Sequence, residues 1–216
     1  MIKEIIYKDK TIKVHTKNAT ETTQQSWNNG LFYNRSVLSF IENIYVNGSI
    51  IEIGASIGNN TLFFGGVLGA FVHCIEPDEI KRAQLSKNIM LNDIRTNLLP
   101  YAVSDYAGLA RIERGERLVY IKDNRDIANV RVTTVDTVIF DVVTIMYIDV
   151  KENEFNILAG CRRTIKTYTP HIFIRTERPY EVASFLTEKF KVKYEVKYQF
   201  NEKKSIYYLK ANESKG

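Results

Sequence analysis

The sequence predicts an α/β protein: a mostly parallel sheet with helices on both faces and an antiparallel hairpin at its C-terminal end. Three observations lead there. From residue 49 the pattern runs strand, turn, helix, repeatedly, as a parallel sheet with right-handed crossovers requires. The run "DVVTIMYIDV" is almost wholly apolar, which suits a central strand covered on both faces. The segment "FKVKYEVKYQF" alternates strictly, with Phe190, Val192, Tyr194, Val196, Tyr198 and Phe200 on one side; "NEKK" then turns the chain into "SIYYLK".

The elements follow in order. "IKEIIYKDKTIKVHT" alternates about Lys8-Asp9-Lys10 and predicts a small N-terminal hairpin. "NATETTQQSWNNG" is polar and reads as a loop, although its Trp27 is costly to leave exposed. "YNRSVLSFIENIY" carries Val37, Leu38, Ile41 and Ile44 at helical spacing. Strand "SIIEIG" leads to a short helix through Leu62 and Leu68, and strand "FVHCIEP" to the helix "DEIKRAQLSKNIMLND", with Ile80, Ala83, Leu85, Ile89 and Met90 near one face. "NLLPYAVSD" reads as a third strand whose Pro100 suits an edge or a bulge. After the central run come helix "ENEFNILAGCRRTIKTY", strand "HIFIRTE" and helix "YEVASFLTEKF".

Composition bounds the function. The 216 residues are 44% hydrophobic and 25% charged, enough for one domain with a sizeable core. The expected plan is a single domain over 1–216: a hairpin and lid or helix segment over 1–46, and the α/β core over 47–216. No run reaches the roughly 18 apolar residues of a membrane span, and "MIKEIIYKDK" lacks the long apolar stretch expected of a signal peptide. Cys74 and Cys161 form neither a CxxC pair nor a disulfide framework, so a reducing, cytoplasmic setting is expected. The net charge of +5 is modest, and much of it alternates with apolar residues at Lys189, Lys191, Lys193 and Lys197, as on the wet face of a strand.

The chemistry concentrates in "SIIEIGASIGNNTLFF". A glycine-bearing turn between strand and helix lets backbone amides approach a ligand. Counting from Gly54, the third position is Ser56 and the sixth Asn59, which fails the dinucleotide fingerprint; no Gly-Lys-Ser/Thr follows, which fails the P-loop. A structural strand–helix turn is the plain alternative. Glu52 would repel a pyrophosphate but suits a ligand carrying an ammonium and a sulfonium, as S-adenosyl-L-methionine does. Glu76 ends the next strand 22 residues after Gly54, near the offset of about 20 where such sheets place a ribose-binding acid. Alone, Glu76 is equally a helix N-terminal charge.

The segments "EIGASIGNN", "CIEPD", "YAVSDYAG", "TTVDTVI" and "IDVKENEFNILAG" occur in the order and at the separations of the FkbM-type methyltransferase family. Over residues 33 to 177 the chain resembles that family, whose turn reads acid-x-G-A-N-x-G and whose later segment reads I-D-V-E-G-x-E. The resemblance implies a Rossmann-like class I methyltransferase that uses S-adenosyl-L-methionine, releases S-adenosylhomocysteine, and methylates an oxygen of a sugar or other small hydroxylated acceptor. It implies a methionine-side turn at Glu52, Gly54, Ala55, Ser56, Gly58 and Asn59, ribose binding by Glu76, and an apolar wall at Ile75 or Pro77. It places Ala102, Val103, Ser104 and Asp105 along the adenine, Asp105 being as readily a turn residue.

For methyl transfer, a hydroxyl must attack in line with the departing sulfur while a base or polarising group takes its proton. Asp149, at the end of the most apolar strand, is the expected site residue, against a helix-capping role. Lys151 and Glu152 stand where the family has Glu-Gly, and the later Glu falls at Glu154. In some other oxygen methyltransferases a catalytic lysine closely follows this acid. Lys151 is therefore read either as a base or as a surface lysine paired with Glu152 or Glu154. Arg175, Glu177 and Arg178 in "RTERP" lie at the same mouth; Glu177 is expected to orient acceptor hydroxyls, and either arginine to hold an anion, or the three to form a solvated cluster.

No metal is expected, since "RTER" lacks the acid–amide pair of magnesium-dependent catechol-type enzymes. His73, in mid-strand, reads as a satisfied core residue. Trp27, Phe32, Tyr33 and Arg35 either lid the cofactor or seal the core. No (D/N)PP(Y/F) segment follows the central strand, so a nucleic-acid acceptor is not expected. The sequence reading is thus an O-methyltransferase on a sugar or glycan, with another small molecule, a protein, or a non-catalytic scaffold as alternatives. From its size, the chain is read as one domain of a larger glycan-processing polypeptide.

Overall fold

The computed structural model describes residues 1–112, 118–121, 129–150, 153–201 and 205–212. The chain forms two compact units, Met1–Pro100 and Tyr101–Gly216.

In the first unit, β1 (Ile2–Tyr7) and β2 (Lys10–His15) form the expected antiparallel hairpin, with Ile5 opposite Ile12. Ile5, Ile12 and Val14 face inward. The polar stretch expected to be a loop instead forms α1 (Glu21–Asn28), whose start is capped by Thr20 accepting from the Thr23 amide. Burial of Trp27, which is 0% exposed, gives this otherwise hydrophilic helix its anchor. α2 (Arg35–Ile44) buries Val37, Leu38 and Ile41 as its spacing predicts. β3 (Ser49–Ile53), β4 (Phe71–Ile75) and β5 (Thr96–Leu99) then form a parallel set in the order β3-β4-β5. All five β3 residues are buried. His73 is also buried, beside the Phe71 ring and the Asn97 side-chain amide. Between β3 and β4 run α3 (Asn59–Leu62) and a π-helical turn (Phe63–Val67).

The helix after β4, α4 (Glu79–Leu91), corrects the expected apolar face. Ile80 and Met90 are exposed, and the buried face is Gln84, Leu85 and Asn88. The reason is the outer edge of β2, whose backbone groups need partners. The Asn92 side chain, just past α4, accepts from the Lys13 amide and donates to its carbonyl, both at 2.7 Å. Asn88 Oδ1 accepts from the His15 amide at 2.7 Å, and Gln84 Nε2 donates to the His15 carbonyl at 2.9 Å. Three amides four residues apart thus act as a substitute strand.

In the second unit, β10 (Val143–Ile148) and β11 (His171–Arg175) pair in parallel, β13 (Ser205–Ala211) pairs antiparallel with β11, and β12 (Tyr194–Asn201) antiparallel with β13. A bulge between Val196 and Tyr198 shifts the register, so the alternation expected from Phe190 to Phe200 breaks and Tyr198 is 54% exposed. The expected strand through Pro100 is split. Its second half, β6 (Tyr101–Val103), belongs to a separate sheet ordered β6-β9-β7-β8, with β7 (Gly108–Ile112), β8 (Leu118–Ile121) and β9 (Val130–Thr133). Proline lacks the amide a continuous ladder would need. Beyond a one-turn α5 (Val135–Val138), the single helix expected after β10 is two, α6 (Glu154–Ala159) and α7 (Arg162–Tyr168), broken at Gly160-Cys161. α8 (Pro179–Phe185) passes into a second π-helical turn (Leu186–Phe190).

The helix break is a joint. A Cβ on Gly160 would lie 2.0 Å from the Ser104 carbonyl oxygen, so only glycine permits this approach. The Asp136 amide donates to the Gly160 carbonyl, and the Asp136 carboxylate accepts from the Arg163 and Thr164 amides and the Thr164 hydroxyl. It thereby caps α7 from a distance. Among the described residues no helix is long and apolar enough to cross a membrane.

Replacing Asn88 with Ala strands the part-buried His15 amide and the buried Ile57 carbonyl. The expected cost is about 2–4 kcal/mol, read by denaturant unfolding, with loss of hydrogen-exchange protection at the His15 amide.

Candidate functional site

The turn from Gly54 to Gly58 folds over the carboxyl end of β4. The amides of Gly54 and Ala55 share the Ile75 carbonyl at 3.0 and 3.2 Å, and the Gly58 amide returns to the Ala55 carbonyl. Ser56 adopts the left-handed region (φ 53°), which directs its amide at Glu76 Oε2, 2.7 Å away. Gly58 (φ 101°) is also left-handed, which favours glycine, and a Cβ there would meet the end of the Leu85 side chain at 2.6 Å, so that side chain would have to shift.

Glu76 sits one residue beyond β4 and is 5% exposed. Its second oxygen accepts from the Asp78 amide at 2.9 Å. Burial raises its carboxyl above the ordinary value, against the opposing pull of those two amides and of Lys81. Each oxygen holds one N–H bond and keeps a further lone pair, so the group retains the capacity to accept two more hydrogen bonds. Pro77, half-buried, follows it. Arg82 donates to the carbonyls of Glu76 and Pro77 at 3.1 and 2.9 Å and fixes this segment. The sequence reading passed over Arg82; its one available signal is its place a turn into the helix that follows "EPD".

Glu52 is placed differently. It lies within β3 opposite Cys74, is 1% exposed, and accepts the Thr61 hydroxyl at 2.5 Å, which ties α3 to the strand. Burial, and then the Glu52 charge, push the Cys74 thiol well up. Asn59 is occupied by protein. Its Oδ1 accepts from the Trp27 indole at 3.0 Å and the Tyr33 amide at 2.9 Å, while its Nδ2 donates to the Tyr33 carbonyl and to Asn60 Oδ1. All four hydrogen-bonding positions of the amide are used, so its side chain serves the scaffold of the turn. Trp27 and Phe32 lie inside the first unit and seal its interior.

In the second unit, Ala102, Val103 and Ser104 are buried, Ala102 within an apolar cluster with Ala110, Val130 and Val132. Asp105 is exposed and accepts from the Ser104 hydroxyl. Asp149 immediately follows β10, and Arg175 Nε at the end of β11 approaches its carboxylate to 3.0 Å while donating to the Val150 carbonyl. Asn153 Nδ2 reaches the Val103 carbonyl at 3.4 Å, so the structure brings "AVSD" beside the segment after β10. Glu177 is exposed. Lys151 and Glu152 lie outside the described residues.

Glu154 is the buried acid here, 6% exposed, accepting from Thr176 Oγ1 at 2.9 Å and the Asn153 amide at 3.0 Å, with Arg178 at 3.4 Å. Burial opposes its charge, but these amide, hydroxyl and guanidinium partners prevail and hold the carboxyl below its ordinary value. Arg178 also lies 4.6 Å from the Phe155 ring centre. Arg175 and Arg178 are thus engaged with acids of the protein.

A family profile described as "Methyltransferase FkbM domain" matches residues 52–202, well over half of the chain. This chain belongs to the FkbM methyltransferase domain family. Its structure is similar to that of methyltransferase FkbM from Methylobacillus flagellatus KT, with a TM-score of 0.60 and 19% identity over 81% of this chain and 47% of that one. The chain therefore spans about half the length of that protein. It is also similar to M. jannaschii TYW2 in complex with AdoMet (TM-score 0.53, 16% identity, 97% and 84% covered) and to an rRNA methylase from Streptococcus thermophilus (TM-score 0.52, 12% identity, 82% and 95% covered). No curated protein sequence matches it. The FkbM domain thus has the class I methyltransferase fold, with the mostly parallel strands and C-terminal hairpin that the sequence predicts.

Glu154 is expected to support this FkbM domain with a definite acid signature. Its folded carboxyl titrates below the unfolded one, so its contribution is full above about pH 4.5 and is lost as pH falls through the folded value. Glu154→Gln is expected to cost about 1–3 kcal/mol at neutral pH and to flatten the acid limb of stability, measured by urea unfolding down to about pH 3.

Proposed function

We propose that this FkbM domain moves a methyl group from S-adenosyl-L-methionine to a hydroxyl of a sugar or glycan. The observation that carries the cofactor assignment is Glu76. An acid at the tip of β4, held by two backbone amides and keeping two acceptor positions, suits the paired hydroxyls of a ribose. Bound there, S-adenosyl-L-methionine supplies an electrophilic methyl group on a sulfonium and leaves as S-adenosylhomocysteine.

This chain's residues supply the rest. In the first unit, Glu76 accepts the ribose diol; Gly54, Ala55 and Ser56 present backbone to the methionine side; Pro77 adds an apolar wall. Glu52 works from behind, fixing β3 to α3 through Thr61 and contributing negative potential favourable to a cationic ligand. In the second unit, the family resemblance assigns the Ala102–Asp105 segment to the adenine. Asp149, oriented by Arg175, accepts a hydrogen bond from the acceptor hydroxyl and draws its proton during attack, with Lys151 the competing base. Glu177, open to solvent, orients further hydroxyls of the acceptor. A sugar is favoured over a nucleic acid by the modest net charge of +5 and the missing (D/N)PP(Y/F) segment.

Calorimetric titration with S-adenosyl-L-methionine tests the cofactor. Glu76→Gln is expected to weaken binding by roughly tenfold or more. Because burial raises Glu76, its carboxyl protonates above the ordinary 4.5. Affinity is therefore expected to fall on acidification before an ordinary carboxylate would titrate, and Glu76→Gln to remove that dependence. Methyl-transfer assays over mono- and oligosaccharides, read by mass spectrometry, test the acceptor. Methylation of small non-sugar alcohols or of proteins, with no sugar product, would replace the sugar assignment.

A further inference from the structure

The first unit contains a cavity that shares no residue with the proposed cofactor or acceptor groups. It measures about 110 Å³ and lies among β1, the 30–32 segment, α2 and the first π-helical turn. Its floor is apolar: Ile5, Phe32, Leu38 and Phe63 are all buried. Phe32 and Phe63 meet edge to face at 5.3 Å, and Tyr7 meets Phe63 at 5.2 Å, so the three rings form a firm aromatic wall. The Tyr7 hydroxyl is taken up by α2, donating to Glu42 Oε2 at 2.7 Å.

The mouth has a charge of one sign in excess. Two cations line it, Lys8 and Arg35. Lys8 is answered by Glu42 Oε1 at 2.6 Å, and that hydrogen bond raises its ammonium pKa. Arg35 is exposed, and among the described residues its guanidinium has no hydrogen bond or ion pair. It opens α2, a helix with no acidic residue in its first turn and no side-chain hydrogen bond at its cap, so the helix dipole adds to its field. Exposed Ile6 and Leu31 complete the rim.

An apolar pocket beneath an unanswered guanidinium fits a ligand with an apolar end and an anionic head. We propose that this cavity binds a short-chain carboxylate, its tail against Phe32 and Phe63 and its head on Arg35. The volume is below the roughly 150 Å³ of an apolar cavity that holds the six carbons of benzene, which limits the buried tail to about four or five carbons. Since Glu52, Glu76 and Asp149 take no part, the site stands or falls independently of methyl transfer.

Titration of the full chain with sodium hexanoate, followed by calorimetry and by amide shifts in ¹⁵N NMR, tests it, with hexanol and acetate as controls. Saturable hexanoate binding is expected, with shifts centred on residues 5–8, 30–38 and Phe63. Arg35→Gln, at an exposed position, should weaken hexanoate by roughly tenfold and leave hexanol unchanged. Ile6→Glu, also exposed, should weaken hexanoate by adding a like charge to the rim. Acetate, lacking a tail, should bind far more weakly than hexanoate. Absence of saturable hexanoate binding, equal affinity in Arg35→Gln and wild type, or shifts centred elsewhere would overturn the proposal.

Discussion

A chain that leaves one parallel strand and enters a helix must cross the carboxyl end of the neighbouring strand, and the backbone amides exposed there all need acceptors. In this protein the Ile75 carbonyl and the Glu76 carboxylate meet that demand for Gly54, Ala55 and Ser56. The first unit's candidate chemistry depends on this arrangement. The same bonds that hold the turn also hold Glu76 in place with its remaining lone pairs uncommitted. Burial would drive such an acid toward its neutral form, and the two amides limit that shift. Structural need and binding capacity therefore converge on one side chain.

Side-chain amides carry the next layer of support. Asn59 joins the start of α3 to Trp27 and Tyr33, and Asn88 joins α4 to the Ile57 carbonyl of the turn and to the His15 amide of the hairpin. An amide both donates and accepts, so one residue can bridge backbone groups of two elements without burying a charge. Residues 1–46, all of which precede the family match at 52–202, are in this way built into the support of the turn.

In the second unit, several of the segments that carry the family resemblance turn out to be joints. "AVSD" presents the Ser104 carbonyl against which Gly160 of "LAG" closes, and Asp136 of "TTVDTVI" caps α7. Their register along the chain follows from these contacts before any ligand is considered. Glu154 likewise serves Thr176, Asn153 and Arg178, where the sequence offers it as the later Glu of the family segment or as a partner for Lys151.

The sequence by itself determined the two terminal hairpins, the alternation of β3, β4, β10 and β11 with helices, the covered central strands and the two strand-borne acids. Periodicity and turn residues are local properties, and Ile50 to Ile53 or Val143 to Ile148 declare their environment without help from distant chain. Tertiary structure alone decided that "NATETTQQSWNNG" is a helix anchored by Trp27, that α4 buries Gln84 and Asn88 in place of Ile80 and Met90, and that the strand through Pro100 splits between two sheets. It also separated the two acids, enclosing Glu52 against Thr61 and leaving Glu76 at the strand tip with acceptor capacity to spare. The burial of Trp27, the face that α4 turns inward and the tie between Glu52 and Thr61 each depend on partners distant in sequence, and hydrophobic pattern carries no record of those.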